Sequence, residues 1–441
     1  MENNFDTIVA IATPFAHSSV GIIRISGDKA FDIAQRIFSA KIKPKMINYG
    51  YILDNNVKLD EVILLPFCAP HSYSGEDIIE IQTHGNPSIL NNIMELVIKN
   101  GARPAQKGEF TKRAFLNQRI DMTQAEAVLD IIESKGNKSI QNALNNLGGY
   151  LKNEINNVKN SLTELYSRLI ASVDFPEDVA EVENNYIVSI CNDNIQKIET
   201  ILRNAKSHDF IREGISACLI GKPNAGKSSL FNALLNYNRA IVTEIEGTTR
   251  DTIKEALNID GYIVNFIDTA GIRDKNSADI VEKIGIDNSI ETIKQSEIVL
   301  FLFEKNINEI DESLIKLANA KNTIFVKTKY DLDPENIPND AICVSSVTGH
   351  GIDKLKIKIR EILTTLIPDD TNFTTNKRQQ ACLNKALNYL KLVTETANTT
   401  ALADLCASDV KGALLALDEI TGEVLTDNIL DNIFENFCIG K

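Results

Sequence analysis

The stretch GKPNAGKS at 221–228 carries residue types at the spacing that phosphate binding needs. It follows an apolar run, ISACLIG, and opens the helical stretch SSLFNALLN. In that setting glycines let backbone N–H groups turn inward on an anion. Lys227 then brings charge to the β and γ phosphates, and Ser228 a hydroxyl for Mg2+. A glycine-rich turn alone is weak evidence, but strand, eight-residue pattern and helix together are a phosphate-loop signature. Asn224, Ala225, Gly226, Lys227, Ser228 and Ser229 are therefore expected to line a nucleotide.

Four further motifs decide which nucleotide. GTTRD at 247–251 precedes a strand, and Thr249 can place its hydroxyl on the metal once a γ-phosphate is present. DTAG (Asp268, Thr269, Ala270, Gly271) ends a strand; Asp268 can reach Mg2+ through water and Gly271 can donate its amide to the γ-phosphate. TKYD (Thr328, Lys329, Tyr330, Asp331) closes another strand, and Asp331 can accept from guanine N1–H and its exocyclic amine, a pairing adenine does not offer. SSV (Ser345, Ser346, Val347) lies where a backbone amide would meet guanine O6. Read singly, each is a turn or a helix cap. In this order, each at a strand's carboxyl end, they point to GTP. Thr328 stands where such base-reading motifs usually carry Asn, and its hydroxyl is expected to tie the loop to the phosphate loop. Ile272 follows DTAG, where a glutamine would orient water, and nothing aims Arg250 or Arg273 at the phosphates. Hydrolysis thus calls for another charge and another polar group.

The elements that must hold these motifs follow from periodicity. The 441 residues are 43% hydrophobic and 24% charged, so the chain reads as globular, with room for two or three domains. Residues 1–118 read as an α/β module, with strands in TIVAIAT, VGIIRIS, EVILLPF and DIIEIQT and a helix in SILNNIMELVIKNG ending at Gly101. Residues 119–209 are almost purely helical, with a break at DFPED where Pro176 is placed to start a helix. Residues 210–370 alternate strand and helix as in a doubly wound parallel sheet, with an Asp-Gly hairpin at 260–261. Helical pattern returns over 371–441. An α/β cassette inserted into one discontinuous helical domain is favoured over separate small helical domains, because the last segment alone makes a thin core.

Net charge is −14, which argues against bulk electrostatic coating of nucleic acid. Residues 1–118 hold twelve charges of each sign, so any polyanion needs a local patch there. Lys107, Lys112, Arg113 and Arg119 form either such a patch or a solvated helix face. No apolar run is long enough to span a bilayer, the amino end has no secretory pattern, and scattered cysteines suit a reducing cytoplasm. Cys438, three residues from the end in FENFCIGK, fits a lipidation tag poorly because Gly440 and Lys441 follow. The end of a packed helix and part of an active site remain for it.

Taken together, DTIVAIATP, VGIIRISG, YSGEDIIEIQTHG, GEFTKRAFLN, VDFPED, GKPNAGKSS, GTTRD, DTAGIRD, VEKIGI and FCIGK resemble the tRNA modification GTPase family MnmE (also called TrmE), over the whole length. The resemblance implies α/β plus all-α architecture: an amino-terminal α/β folate-binding domain that dimerises, a discontinuous helical domain and an inserted P-loop GTPase domain. It implies a cytoplasmic homodimer that joins a flavoprotein partner (MnmG, or GidA), carrying FAD, in a heterotetramer. With a one-carbon tetrahydrofolate derivative such proteins add carboxymethylaminomethyl or aminomethyl groups to C5 of the tRNA wobble uridine. The resemblance supplies the missing charge as K+, held by Asn224, the backbone of Thr243 and Ile245, and Thr248, with Glu244, Glu246 and Gly247 in the same nucleotide-contacting loop. It makes Glu282 the group that positions water, and places Arg24, Glu80, Arg119 and Lys441 at the folate. It also brings the tail toward that pocket across the dimer, with Cys438 as nucleophile or acid/base. A GTPase switch that binds RNA during ribosome assembly without chemistry is the alternative; a nucleotide-gated scaffold is a third reading.

Overall fold

The computed structural model describes residues 6–134, 136–203, 205–222, 224–237, 255–267, 290–305, 315–316, 322–335, 340–367, 372–399 and 402–440. The chain forms two compact units, one of residues 1–129, 152–170 and 407–441, the other of 130–151 and 171–406.

In the first unit six strands are ordered β3–β4–β5–β2–β1–β6: β1 (Ile8–Ile11), β2 (Ser18–Ser26), β3 (Asn48–Asp54), β4 (Val57–Phe67), β5 (Ile78–Gly85) and β6 (Arg103–Pro104). Only the β1–β6 pair is parallel. Period-two alternation gives the sheet two different faces. Ile23, Ile25, Ile79 and Ile81 join a core with residues of α1 (Ala30–Ile37) and α2 (Pro87–Lys99), while Arg24 and Glu80 alternate with them on the opposite face. Helix α2 begins as its sequence asks, with Asn86 accepting from the Ser88 amide and Pro87 in the first turn. It ends before Gly101, at φ +111°. Strand β3 carries no clear strand signal because Gly50 interrupts it. The fold needs that glycine, since a Cβ there would lie 2.7 Å from Ser39 Oγ and 2.8 Å from the Phe38 ring.

Also in this unit, α3 (Glu109–Leu116) buries Phe110 beside Ile8 and Ala10 of β1, on the face that carries Arg24. The start of α4 (Met122–Glu133) shares a core with Leu430, Phe434 and Phe437 near the carboxyl end. Lys159, in the middle of α6 (Tyr150–Asp174), binds Asp418 at 2.6 Å and Glu423 at 2.5 Å.

The second unit holds a six-stranded sheet ordered β12–β11–β10–β7–β9–β8: β7 (Ile215–Gly221), β8 (Glu255–Ile259), β9 (Tyr262–Phe266), β10 (Ile298–Phe303), β11 (Asn322–Lys327) and β12 (Ala341–Cys343). All pairs are parallel except the β8–β9 hairpin. Its Asp260 and Gly261 have φ of +50° and +93°, the positive values that an Asp-Gly hairpin turn requires. Every residue of β10 is buried, because apolar clusters cover both faces of the sheet. Helices α9 (Lys227–Tyr237) and α10 (Ile352–Leu366) contribute Leu230, Leu234, Leu355 and Ile359 to one of these clusters.

Helices α5 (Asn137–Leu147), α7 (Asn184–Arg203) and α8 (Ala205–Glu213) precede the sheet, and α7 packs against α11 (Lys377–Thr399), which follows it, each of these two burying an apolar stripe. The parallel sheet is thus inserted between helices that belong together. Pro176 does not begin a helix: it lies in a turn after α6, and α7 starts only at Asn184. Among the described residues no helix is long and apolar enough to cross a membrane.

Candidate functional site: a nucleotide cradle and an arginine–tyrosine cluster

Strands β7, β10, β11 and β12 end together, with Leu302 opposite Gly221, Phe303 opposite Lys327, and Lys327 opposite Cys343. Parallel strands in this register put the loops that follow them at one edge, where open α/β sheets bind ligands. A Cβ at Gly221 would sit 2.5 Å from the Leu302 carbonyl oxygen, so glycine alone fits where the first loop leaves the sheet. Asn224 at φ +66° and Gly226 at φ +86° then curl the backbone around a concave run of amides. Helix α9 starts at Lys227 and aims its amino-terminal dipole into the same place. Lys227 Nζ donates to Gly221 O at 2.7 Å and Lys222 O at 3.1 Å, and burial pulls its pKa down. A phosphate here gives that ammonium a full anionic partner in place of two carbonyls.

The hydroxyl tie expected of Thr328 is present. Buried Thr328 donates from Oγ1 to Ala225 O in the phosphate loop at 2.8 Å, while its amide binds Phe303 O at 2.9 Å. Lys329 is held at φ +53° with Nζ 2.8 Å from Glu304. Asp331 projects from a short 3-10 turn, exposed and with no hydrogen bond among the described residues, so both its oxygens can accept. The Ser345 amide is already taken by His350 O at 2.9 Å, and Ser345 Oγ accepts from the Thr348 amide at 3.2 Å. Ser346 and Val347 therefore offer the amides of the SSV segment that can meet a base oxygen.

Three residues of this cradle escaped the sequence reading. Buried Lys327 props the base loop by donating to Asp333 O at 2.9 Å, His350 stacks on Tyr330 at 4.7 Å, and Glu304 steadies Lys329. Glu304 had a signal, a charge directly after the apolar run IVLFLF. Thr243, Glu244, Ile245, Glu246, Gly247, Thr248, Thr249, Asp268, Thr269, Ala270, Gly271, Ile272, Glu282, Arg250, Arg273 and Lys441 lie outside the described residues.

In the first unit Arg24 and Glu80 are direct cross-strand partners. Arg24 Nε and Nη2 each lie 2.8 Å from Glu80 Oε1, and Nη1 donates to Gly440 O at 3.0 Å. Arg119 donates to the Tyr73 carbonyl at 2.7 Å. Both guanidiniums lie 5.3 Å from the Tyr73 ring centroid. Three residues expected at one site, Arg24, Glu80 and Arg119, thus converge through a fourth, Tyr73, that was not singled out.

The tail is seated in the first unit beside Arg24. Phe434 and Phe437 are buried, Ile439 bridges to Lys107, and Gly440 adopts φ +95° against Ile11 O, which a Cβ would approach to 2.6 Å. Cys438 is exposed between these fastened neighbours.

The suggested patch of Lys107, Lys112, Arg113 and Arg119 does not form, and neither does a solvated helix face. Arg113 is 1% exposed and binds Glu76 at 3.1 Å and Glu109 at 2.9 Å, while Lys112 pairs with Asp431 at 2.6 Å. Burial pushes the Glu109 carboxyl up, but hydrogen bonds from Arg103, the Gln106 amide and Arg113 outweigh it and hold the pKa at about 2. Elsewhere on the sheet, at the end of β5, His84 is exposed and bound to Asp60 at 2.7 Å, which raises its pKa.

A parallel sheet with a phosphate loop tied to a base-reading loop, set between helices and preceded by a separate α/β unit, defines a P-loop GTPase with accessory domains. The chain matches the family models described as "GTP-binding protein TrmE N-terminus" over residues 7–119 and "MnmE helical domain" over 122–438. It belongs to the tRNA modification GTPase MnmE family. The MnmE of Streptococcus thermophilus (strain CNRZ 1066) is 39% identical over 452 residues, 99% of each chain. That of Streptococcus mutans serotype c is 38% identical over 458 residues, 100% of this chain and 99% of the relative. Among solved structures, the G domain of the T. maritima FeoB iron transporter is similar at 28% identity and a TM-score of 0.25, over 33% of this chain and 97% of that one.

Proposed function

We propose that the chain is a K+-dependent GTP hydrolase that drives modification of C5 of the tRNA wobble uridine with a one-carbon tetrahydrofolate. It would act in the cytoplasm as a homodimer with a flavoprotein partner that carries FAD. The observation that carries this reading is the pairing of two sites in one chain. One is a base loop hydrogen-bonded to a phosphate loop; the other is an Arg24–Glu80–Arg119 cluster against which the tail bearing Cys438 is seated. A switch that merely binds RNA leaves the second site without a use. The proposed domains are 1–118 for folate and dimerisation, 119–209 and 371–441 for the helical domain, and 210–370 for GTP.

Ser228 at the start of α9 is a reasonable Mg2+ ligand, with Thr249. The Asn224 side chain is exposed, makes no hydrogen bond among the described residues, and sits on a left-handed turn beside the phosphate loop, which fits K+ ligation together with Thr243, Ile245 and Thr248. A monovalent cation there offsets charge that develops on the phosphates. The β3–β4 side of the first unit's sheet, with Tyr49, Ile63 and Phe67 exposed on the face that carries Arg24, supports pairing of two copies.

Turnover of GTP in KCl and in NaCl tests the cation: faster hydrolysis in KCl is expected, and equal rates defeat it. Glu282→Ala is expected to retain nucleotide affinity and lose hydrolysis. Cys438→Ser is expected to retain hydrolysis while wobble uridine stays unmodified in cells, read by mass spectrometry of tRNA nucleosides.

A further inference from the structure

Resting on the folate reading of the first unit's cluster, we infer that Tyr73 is a positioning residue of that site. It is the fixed platform that holds the Arg24 and Arg119 guanidiniums together, so that Glu80 and Arg119 present complementary groups to one ligand.

Two arginines 95 positions apart in the chain repel one another, and each side chain has many rotamers to lose. Both nevertheless lie 5.3 Å from one ring centroid, inside the range where a cation is drawn to an aromatic face. The Tyr73 carbonyl adds a hydrogen bond to Arg119. Tyr73 itself is anchored on every side. Its hydroxyl meets Thr111 Oγ1 at 2.8 Å, and Thr111 is wholly buried. Next to it, Ser74 O accepts from Asn117 at 2.9 Å, and Ser74 Oγ pairs with Ser26 Oγ at 2.7 Å. The same short loop is gripped through Glu76 by buried Arg113. The ring is the rigid partner that both guanidiniums share; Arg24 also lies 5.5 Å from the Phe110 ring, so Arg119 is the one that leans on Tyr73 most.

The remaining hydrogen-bonding capacity then divides the roles. Arg24 commits Nε and Nη2 to Glu80 Oε1 and Nη1 to Gly440, so it orients Glu80 and the tail more than it grasps a ligand. Glu80 Oε2 has no partner among the described residues and can accept N–H donors from a flat heterocycle. Arg119 uses one donor on Tyr73, and its remaining donors suit a carboxylate. An acceptor at one end and a guanidinium at the other, held in place by the Tyr73 ring, match a pteridine joined to a carboxylated tail.

The test is calorimetric titration of the full-length protein with 5-formyltetrahydrofolate, comparing wild type, Tyr73→Phe, Tyr73→Leu, Arg119→Ala and the Tyr73→Leu/Arg119→Ala double variant. Tyr73→Phe, which keeps the ring, should bind within about two-fold of wild type, and Tyr73→Leu about ten-fold or more weakly. Because Tyr73 acts through the arginines, the double variant should bind about as weakly as Tyr73→Leu alone. Tyr73→Met replaces Leu should Leu lower the thermal midpoint. Tyr73→Leu binding within two-fold of wild type, or losses that multiply in the double variant, overturns this inference and leaves the folate reading standing. No binding by the unaltered chain overturns the folate reading and this inference with it.

Discussion

The two sheets meet the same problem, holding charged groups where a ligand can reach them, in opposite ways. The sheet of the second unit is sealed by apolar clusters on both faces, so its chemistry is displaced to the loops beyond the strand ends. The sheet of the first unit is covered by α1 and α2 across one face, while on the other α3 covers the β1 side and leaves Tyr49, Ile63 and Phe67 of β3 and β4 exposed; its chemistry sits on the strands themselves, where Arg24 and Glu80 face each other across β2 and β5. A sealed sheet can leave its site residues to backbone geometry: left-handed Asn224, Gly226 and Lys329 shape the cradle. Side chains that stand on the strands must be fixed by pairing, as Arg24 is by Glu80 and the Gly440 carbonyl, and the buried Arg113 network holds the neighbouring loop through Glu76.

That contrast is sharpened first by Arg113→Leu. Removing one member of a buried charge network leaves Glu76 without its cation and Glu109 with Arg103 alone, at a cost of about 3 kcal/mol. Urea unfolding followed by probes in each unit should show the loss in the first, with GTP affinity within about two-fold of wild type; equal destabilisation of both would break the distinction. Lys227→Ala attacks the other sheet's solution, and should weaken GTP binding about 100-fold with little change in the unfolding midpoint.

Acid makes a finer cut. Glu109 is held below its ordinary value, so its contribution is complete above about pH 4.5 and disappears as pH falls toward about 2. The first unit should therefore lose stability through that window, read by circular dichroism, and Glu109→Gln should flatten the profile. Thr328→Ala, which removes one neutral hydroxyl bond in the cradle, should cost about 1 kcal/mol and loosen GTP modestly. The smallest effect is expected of His84→Ala. Asp60 raises its pKa, so any contribution is present below the ordinary histidine value and fades as pH rises through the raised one. The pair is exposed on the histidine side, and the thermal midpoint should not move measurably at either end.

Much of the nucleotide cradle was legible because its rules are local. GKPNAGKS, TKYD and SSV each fix a turn by residue type, and the apolar runs before them fix the strands. The Asp-Gly hairpin and the Asn86–Pro87 start of α2 were readable for the same reason. The basic cluster was misread because the spacing of Lys107, Lys112, Arg113 and Arg119 says nothing of burial. Arg113 is withdrawn from solvent by Glu76, 37 positions earlier, as well as by its helical neighbour Glu109. Pro176 was misplaced because a proline fits both a helix start and a turn.

What the sequence alone determined, then, was the backbone: left-handed turns, strand and helix periods, and the order of loops along one sheet edge. Each depends on steric and hydrogen-bonding preferences that travel with the residue. Only the tertiary structure decided that Tyr73 joins Arg24 to Arg119, that Gly440 lies on Arg24, and that Arg113 is interior. Those outcomes depend on burial and on partners distant along the chain, and such partners meet only once the sheet and its covering helices have closed.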